Sequence, residues 1–81
     1  MLSPEQVQIW IAEALPCEHL DVVGDGQHFE AVIVSAEFAG LSRIARQQKV
    51  NAALRSHFDS NALHALSMKT MTPDEWAAKR G

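Results

Sequence analysis

GDGQHFEAVIVSAEFAGLSRIARQQKV, residues 24–50, combines a turn, a strand pattern and the start of a helix. Two glycines in its first three residues are typical of a hairpin turn, and a phosphate-binding loop is disfavoured because no helix follows directly. Residues 28–35, HFEAVIVS, are rich in β-branched and aromatic side chains and predict a strand. After AEFAGLS, a basic and glutamine-rich helix is predicted over residues 42–59.

The flanking segments complete an alternation of helices and strands. Ser3 begins a capping pattern, and the helix that follows is predicted to end at Pro16. The segment His19–Gly24 predicts the first strand, and polar–apolar alternation over residues 62–71 predicts the third. A capping box at residues 72–75 begins a terminal helix. The predicted order is α-β-β-α-β-α, an α/β (α+β) fold with a three-stranded mixed sheet.

Length and composition narrow the classes of protein to consider. Eighty-one residues, 47% of them apolar, suit one small domain, residues 1–81. The single cysteine, Cys17, cannot form an internal disulfide, and MLSPEQVQIW at the start lacks the pattern of a signal peptide. No apolar run reaches the roughly 18 residues of a membrane span. We expect a cytoplasmic protein, and its net charge of −3 argues against strong non-specific binding of nucleic acid.

Two histidines lie at the starts of neighbouring strands in this topology. Strand two, the long helix and strand three form a β-α-β unit, so the two strands should be parallel and begin at the same sheet edge. His28 begins strand two and His64 lies at the start of strand three, so their imidazoles could lie side by side. The rings converge only if His28 still belongs to the loop, because His28 shares the parity of Glu30 and His64 that of Leu66.

A structural role is the simplest interpretation of these histidines, and metal binding is the alternative. Two imidazole nitrogens cannot fill a tetrahedral site, so a metal would need further ligands from elsewhere. No Ser-His-Asp arrangement and no pair of acidic catalytic residues stands out, so an enzyme is not expected. We expect His57 at the edge of the core, His19 in solvent, and Cys17 as a small apolar side chain rather than a ligand.

Three basic residues recur every three positions on the long predicted helix: Arg43, Arg46 and Lys49. A solvated basic face is the simplest interpretation, since three charges are few for binding nucleic acid. Contact with a protein partner or with nucleic acid is the alternative. Arg46 and Gln47 fall near the apolar face of the helix, so they are predicted to emerge at a sheet edge.

Three blocks in this order resemble the BolA-like family and, within it, the bacterial IbaG branch. They are HF at the start of strand two, F-x-G-x-S-R leading into QQ-x-V, and H-A-L-S-x-K followed by TP-x-EW. The resemblance covers nearly the whole chain. Many family members have an arginine-histidine pair where this chain has Arg46 and Gln47, and the glutamine is similar to the IbaG branch.

The resemblance implies a class II KH-like BolA fold and a role in iron-sulfur cluster trafficking. It implies a heterodimer with a monothiol glutaredoxin around a shared [2Fe-2S] cluster, with His64 and His28 as the ligands from this chain. Glutaredoxin cysteine and glutathione would then hold the second iron. The family also suggests a nucleic-acid-binding transcriptional regulator of the stress response, for which we expect at most weak, salt-sensitive DNA binding. A third alternative is an adaptor that binds glutaredoxin without a cluster.

Overall fold

The computed structural model of the chain describes residues 2–60, 63 and 65–80. Within them, the helices are α1 (Pro4–Ala14), α2 (Arg43–Ala53), α3 (Arg55–Asp59) and α4 (Pro73–Arg80). The strands are β1 (His19–Gly24), β2 (His28–Val34) and β3 (Ala65–Met71). A short 3-10 turn, Ala36–Phe38, lies between β2 and α2. This is the mixed α+β composition that the sequence predicts.

The three strands form one sheet in the order β1-β2-β3. β1 and β2 are antiparallel, and their last pair places Gly24 opposite Phe29. β2 and β3 are parallel, and their first pair places His28 opposite Ala65. The predicted mixed sheet, with strands two and three as parallel neighbours, is therefore confirmed.

One face of the sheet carries the hydrophobic core. Phe29, Ala31 and Ile33 alternate along β2 and are buried, as their parity predicts. Side chains from α1, α2 and the connecting segments cover this face, among them Val7, Ile11, Leu15, Phe38, Val50, Leu54 and Leu63. The opposite face is exposed at Glu30 of β2 and Lys69 of β3, which leaves polar side chains of two strands accessible.

The last helix begins with the predicted capping box. The hydroxyl of Thr72 accepts a hydrogen bond from the Glu75 N–H at 3.2 Å, and the Thr72 N–H donates to Glu75 Oε1 at 2.8 Å. Trp76 of α4 stacks on His19, with ring centroids 4.5 Å apart. The prediction that His19 faces solvent is wrong, because Trp76 covers its ring.

The helix predicted over residues 42–59 is two helices. Leu54 separates α2 from α3, and its φ of −102° and ψ of 9° lie outside the α-helical region. Its side chain is buried in the core. Beyond this break, His57 stacks on Trp10 of α1 at a centroid distance of 3.7 Å, which is the predicted core-edge position. Ala53, the last residue of α2, is exposed.

The second strand ends one residue earlier than predicted. Ser35 leaves the strand because its hydroxyl caps the 3-10 turn, accepting from the Glu37 N–H at 3.1 Å. The same hydroxyl donates to the carbonyl of Pro16 at 2.6 Å, so Ser35 is buried with its polar group satisfied.

The third strand is also shorter than the predicted range of residues 62–71. It begins at Ala65, and Leu63 lies outside it, buried in the core. Ala62 and His64 are outside the described residues.

In the described part of the chain, none of the helices has the length and apolar character needed to cross a bilayer.

Candidate functional site

His28 is the first residue of β2, and its side chain is exposed. It lies one residue beyond the last β1–β2 pair, so on the β1 side it has no paired neighbour. On the other side it pairs directly with Ala65, the first residue of β3. The imidazole therefore stands at the end of a strand, where a partner could reach it.

The turn before His28 is held by a carboxylate. Oδ1 of Asp25 accepts hydrogen bonds from the backbone N–H groups of Gln27 and His28, both at 2.9 Å. The same two N–H groups lower the pKa of the Asp25 carboxyl below its usual value. The Asp25 N–H in turn donates to the His28 carbonyl at 3.2 Å. Asp25 thus positions the backbone of the candidate ligand, a role that the sequence reasoning missed.

Two glycines make this tight turn feasible. A Cβ atom added to Gly24 would lie 2.4 Å from the ring of Phe29 and 2.6 Å from the carbonyl oxygen of His28. Gly26 has a φ of 101°, a backbone angle that residues other than glycine rarely adopt. The close approach at Gly24 joins the turn directly to the buried Phe29.

His64 lies outside the described residues, so its geometry is not described. Its neighbour Ala65 pairs with His28, and the buried Leu63 donates its N–H to the His57 carbonyl at 3.1 Å. For the two imidazoles to converge, the sequence reasoning required His28 to remain in the loop. That requirement is not met, because His28 belongs to β2 and shares the open face with Glu30.

The described residues contain no ready-made cluster of metal ligands. Among residues 2–60, 63 and 65–80, no group of three or more histidine, cysteine or acidic side chains is arranged for metal binding.

Cys17 precedes β1 at the far end of the sheet, roughly 20 Å from the start of β2. Its thiol donates to the Leu15 carbonyl at 3.3 Å, and burial raises its pKa. Cys17 is thus partly buried, and its assignment as a small apolar side chain rather than a ligand stays a prediction.

A groove borders the start of β3. It lies between the C-terminal part of α2, α3 and β3, and it is lined by Gln48, Asn51, Arg55, Phe58, Ala65 and Leu66. Phe58 and Leu66 are half-buried and pack against the core, whereas Arg55 is exposed. The groove therefore combines an apolar floor with a charged rim next to the pair formed by His28 and Ala65.

Arg46 is used inside the protein. Its guanidinium donates to the carbonyl of Leu41 at 2.9 Å and to that of Thr70, in the edge strand β3, at 3.2 Å. It also forms two hydrogen bonds to the Glu75 carboxylate, at 2.7 and 3.3 Å. Only 13% of the Arg46 side chain is exposed. Arg46 emerges at a sheet edge as predicted, but its donors are occupied there by this chain.

The other two basic residues of α2 differ from Arg46. Lys49 forms an exposed ion pair with Glu37 at 3.4 Å. Arg43 is exposed and, among the described residues, has no carboxylate within ion-pair distance. The three residues predicted as one basic flank therefore have three different environments.

Comparison with known proteins gives the family. The model of the family described as BolA-like protein matches residues 1–75. Acid stress protein IbaG of Escherichia coli strain K12 is 39% identical over 79 residues, covering 98% of this chain and 94% of that protein. The DNA-binding transcriptional regulator BolA of Haemophilus influenzae is 36% identical over 56 residues, covering 69% of this chain and 53% of that protein. The structure of a BolA protein homologue from Coxiella burnetii matches with a TM-score of 0.82 at 39% identity, covering 95% of this chain and 99% of that one.

The similarity in structure and the similarity in sequence point to the same group of proteins. The resemblance based on three sequence blocks, including that to IbaG, is confirmed by matches over nearly the whole chain. The BolA fold is confirmed by the close structural match and by the observed sheet. The chain belongs to the BolA-like protein family.

Proposed function

We propose that this protein is a cytoplasmic adaptor in iron-sulfur cluster trafficking and assembly, and not an enzyme. It pairs with a monothiol glutaredoxin and shares a [2Fe-2S] cluster with it and with glutathione. The observation that carries this proposal is the direct pairing of His28 with Ala65, the residue that follows His64. Because consecutive Cα atoms lie about 3.8 Å apart, we take His64 to be near enough to His28 to share a metal with it.

The available donor atoms fit a cluster that is shared. Two imidazoles can replace two thiolates on one iron of a [2Fe-2S] cluster, as in Rieske centres. His28 would be one of these ligands, and the other, His64, would have to bring its ring to the open face of the sheet on which His28 lies. The second iron needs thiolates, which Cys17 cannot supply from the far end of the sheet. A partner cysteine and glutathione would supply them, and the exposed imidazole of His28 is accessible to such a partner.

The groove beside β3 suggests where the glutaredoxin would dock. Protein interfaces commonly combine apolar and aromatic side chains at the centre with polar groups at the rim. Phe58 and Leu66 provide the apolar part here, and Arg55 and Asp59 provide charges of opposite sign at the rim. A partner seated on this groove would lie next to Ala65 and therefore next to the proposed ligands.

The experiment that tests this function is anaerobic reconstitution with a monothiol glutaredoxin, iron, sulfide and glutathione. We expect a one-to-one heterodimer whose visible absorption and circular dichroism differ from those of the glutaredoxin alone. The Cys17→Ser variant is the matched control and should give the same spectrum. A heterodimer without a cluster would support the cluster-free adaptor instead, and the absence of any heterodimer would contradict both.

A nucleic-acid-binding regulator is the second candidate, favoured by the name of the Haemophilus influenzae relative. The internal use of Arg46 counts against it, because that side chain has few donors left for phosphates. Anisotropy of labelled duplex DNA tests it, with Arg43→Glu and Lys49→Glu as the charge-reversing variants. We expect weak binding that falls steeply with salt. Tight, sequence-selective binding near physiological salt would make regulation the leading function.

A further inference from the structure

A second cleft lies at the outer edge of β3, where α2, β3 and α4 come together. Its volume is about 420 Å³, which lies within the usual range for small-molecule sites. Cations from all three elements line it: Arg43 from α2, Lys69 from β3 and Lys79 from α4. Gln47 adds an amide, and Met68 and Met71 add apolar surface.

None of the three cations that line this cleft forms an ion pair with another described residue. The ion pairs among the described residues join Arg46 to Glu75 and Lys49 to Glu37, and neither involves a cation of this cleft. No aspartate or glutamate is among the described residues that line it. Three like charges around one cavity repel each other, so an anion that enters it is stabilised by all three. In a chain of net charge −3, such a concentration of positive charge is a local feature.

We propose that this cleft binds a compact polyphosphate group, such as that of a nucleoside di- or triphosphate. Lysine ammonium groups bind phosphate as point charges, and an arginine can form two parallel hydrogen bonds to it. Two lysines, one arginine and the Gln47 amide thus offer donors from several directions to one small anion. Met68 and Met71 are half-buried and lie on opposite faces of β3, and each adds apolar surface beside the cleft for an attached base.

The surroundings of the cleft favour a compact anion over a nucleic-acid strand. A strand needs cations along its path. Along α2 the next cations after Arg43 are Arg46 and Lys49, which are paired with acidic side chains. Lys69 also lines a separate depression on the open face of the sheet, and Asp21 and Glu30 line that depression too. A long polyanion leaving the cleft would therefore meet neutralised or negative surface.

Titration calorimetry on the isolated chain tests this inference without any glutaredoxin. The probes are inorganic tripolyphosphate and a nucleoside triphosphate, each at low and at near-physiological salt. Arg43→Gln, Lys69→Gln and Lys79→Gln should each raise Kd about fivefold, since an exposed charge pair contributes up to about 1 kcal/mol. Lys49→Gln is the matched control, because it removes one positive charge outside the cleft, and it should change Kd less than twofold.

The two probes separate the sources of binding. Equal affinity for both would assign recognition to the phosphates, and tighter binding of the nucleoside triphosphate would add a contribution from the methionine side chains. The inference is overturned if neither probe saturates at millimolar concentration, or if Lys49→Gln weakens binding as much as the cleft variants. It is also overturned if a short duplex binds more tightly than both probes and loses affinity in all four variants.

Discussion

His28 is positioned by its immediate neighbours in the turn rather than by the core. The Asp25 carboxylate bonds to its N–H, the Asp25 N–H bonds to its carbonyl, and Gly24 lets Phe29 approach the turn. The ligand role proposed for His28 would need a defined backbone and a free imidazole. The hydrogen bonds define the backbone, and exposure at the end of β2 leaves the ring free to bind.

Replacing Gly24 by alanine should destabilise the fold. The added Cβ would lie well inside contact distance of the Phe29 ring and of the His28 carbonyl, so the turn or the core must shift. Overpacking of this kind costs about 1–3 kcal/mol. Denaturant unfolding followed by circular dichroism measures the loss, and an unchanged midpoint would show that the turn adapts without strain.

Replacing Asp25 by alanine should loosen the turn without unfolding the protein. The N–H groups of Gln27 and His28 lose their acceptor, so their hydrogen exchange should become faster. Asp25→Asn is the matched control, because it keeps an oxygen at the same position and should retain most of the protection. Exchange followed by NMR distinguishes the variants. Equal protection in Asp25→Ala and in the wild type would contradict the anchoring role.

At the scale of elements, Arg46 connects α2 to β3 and to α4. It bonds to the Thr70 carbonyl and to Glu75, which also forms the capping box with Thr72. The ion pair with Arg46 and the Thr72 N–H lower the pKa of Glu75 to about 2. The folded state therefore favours the ionised carboxylate more strongly than the unfolded chain does.

This shift predicts how stability depends on pH. The pKa of Glu75 is lower in the folded state, so its contribution is fully present above the ordinary value of about 4.5 and is lost as pH falls toward about 2. Urea midpoints should decline across this window, and Glu75→Gln should flatten that decline. Asp74→Asn removes a charge from the same turn of α4 but leaves the ion pair intact, so it should retain the decline. Identical pH profiles for Glu75→Gln and the wild type would refute the contribution.

The elements themselves were largely predictable, because local patterns determine them. The hairpin follows from its glycines and its β-branched run, and α4 follows from its capping box. The break at Leu54 was not predictable, since the apolar spacing continues through it and the change of direction depends on packing. The internal hydrogen bonding of Arg46 was not predictable either, because its partner Glu75 lies 29 residues away in sequence. Asp25 could have been recognised, since aspartate before glycine often accepts hydrogen bonds from its own turn.

At the scale of the whole molecule, the parallel pairing of β2 and β3 links the fold to the proposed function. A crossover through α2 and α3 brings the start of β3 back beside the start of β2, with residues far apart in sequence as neighbours. The sequence predicted this topology from the β-α-β order. It left open whether His28 belongs to the strand or to the loop, because strand membership at a boundary residue depends on the turn hydrogen bonds.

The most direct test of the shared cluster is the spectrum of the glutaredoxin complex with His64 replaced. Imidazole can bind iron and alanine cannot, so His64→Ala should remove most of the visible absorption and circular dichroism that distinguish the mixed complex. His28→Ala should change them less, because its turn can admit water or another side chain, and Gln27→Ala should leave them unchanged as the matched control. A folded His64→Ala protein whose glutaredoxin complex keeps the wild-type cluster spectrum would contradict the proposed ligand set.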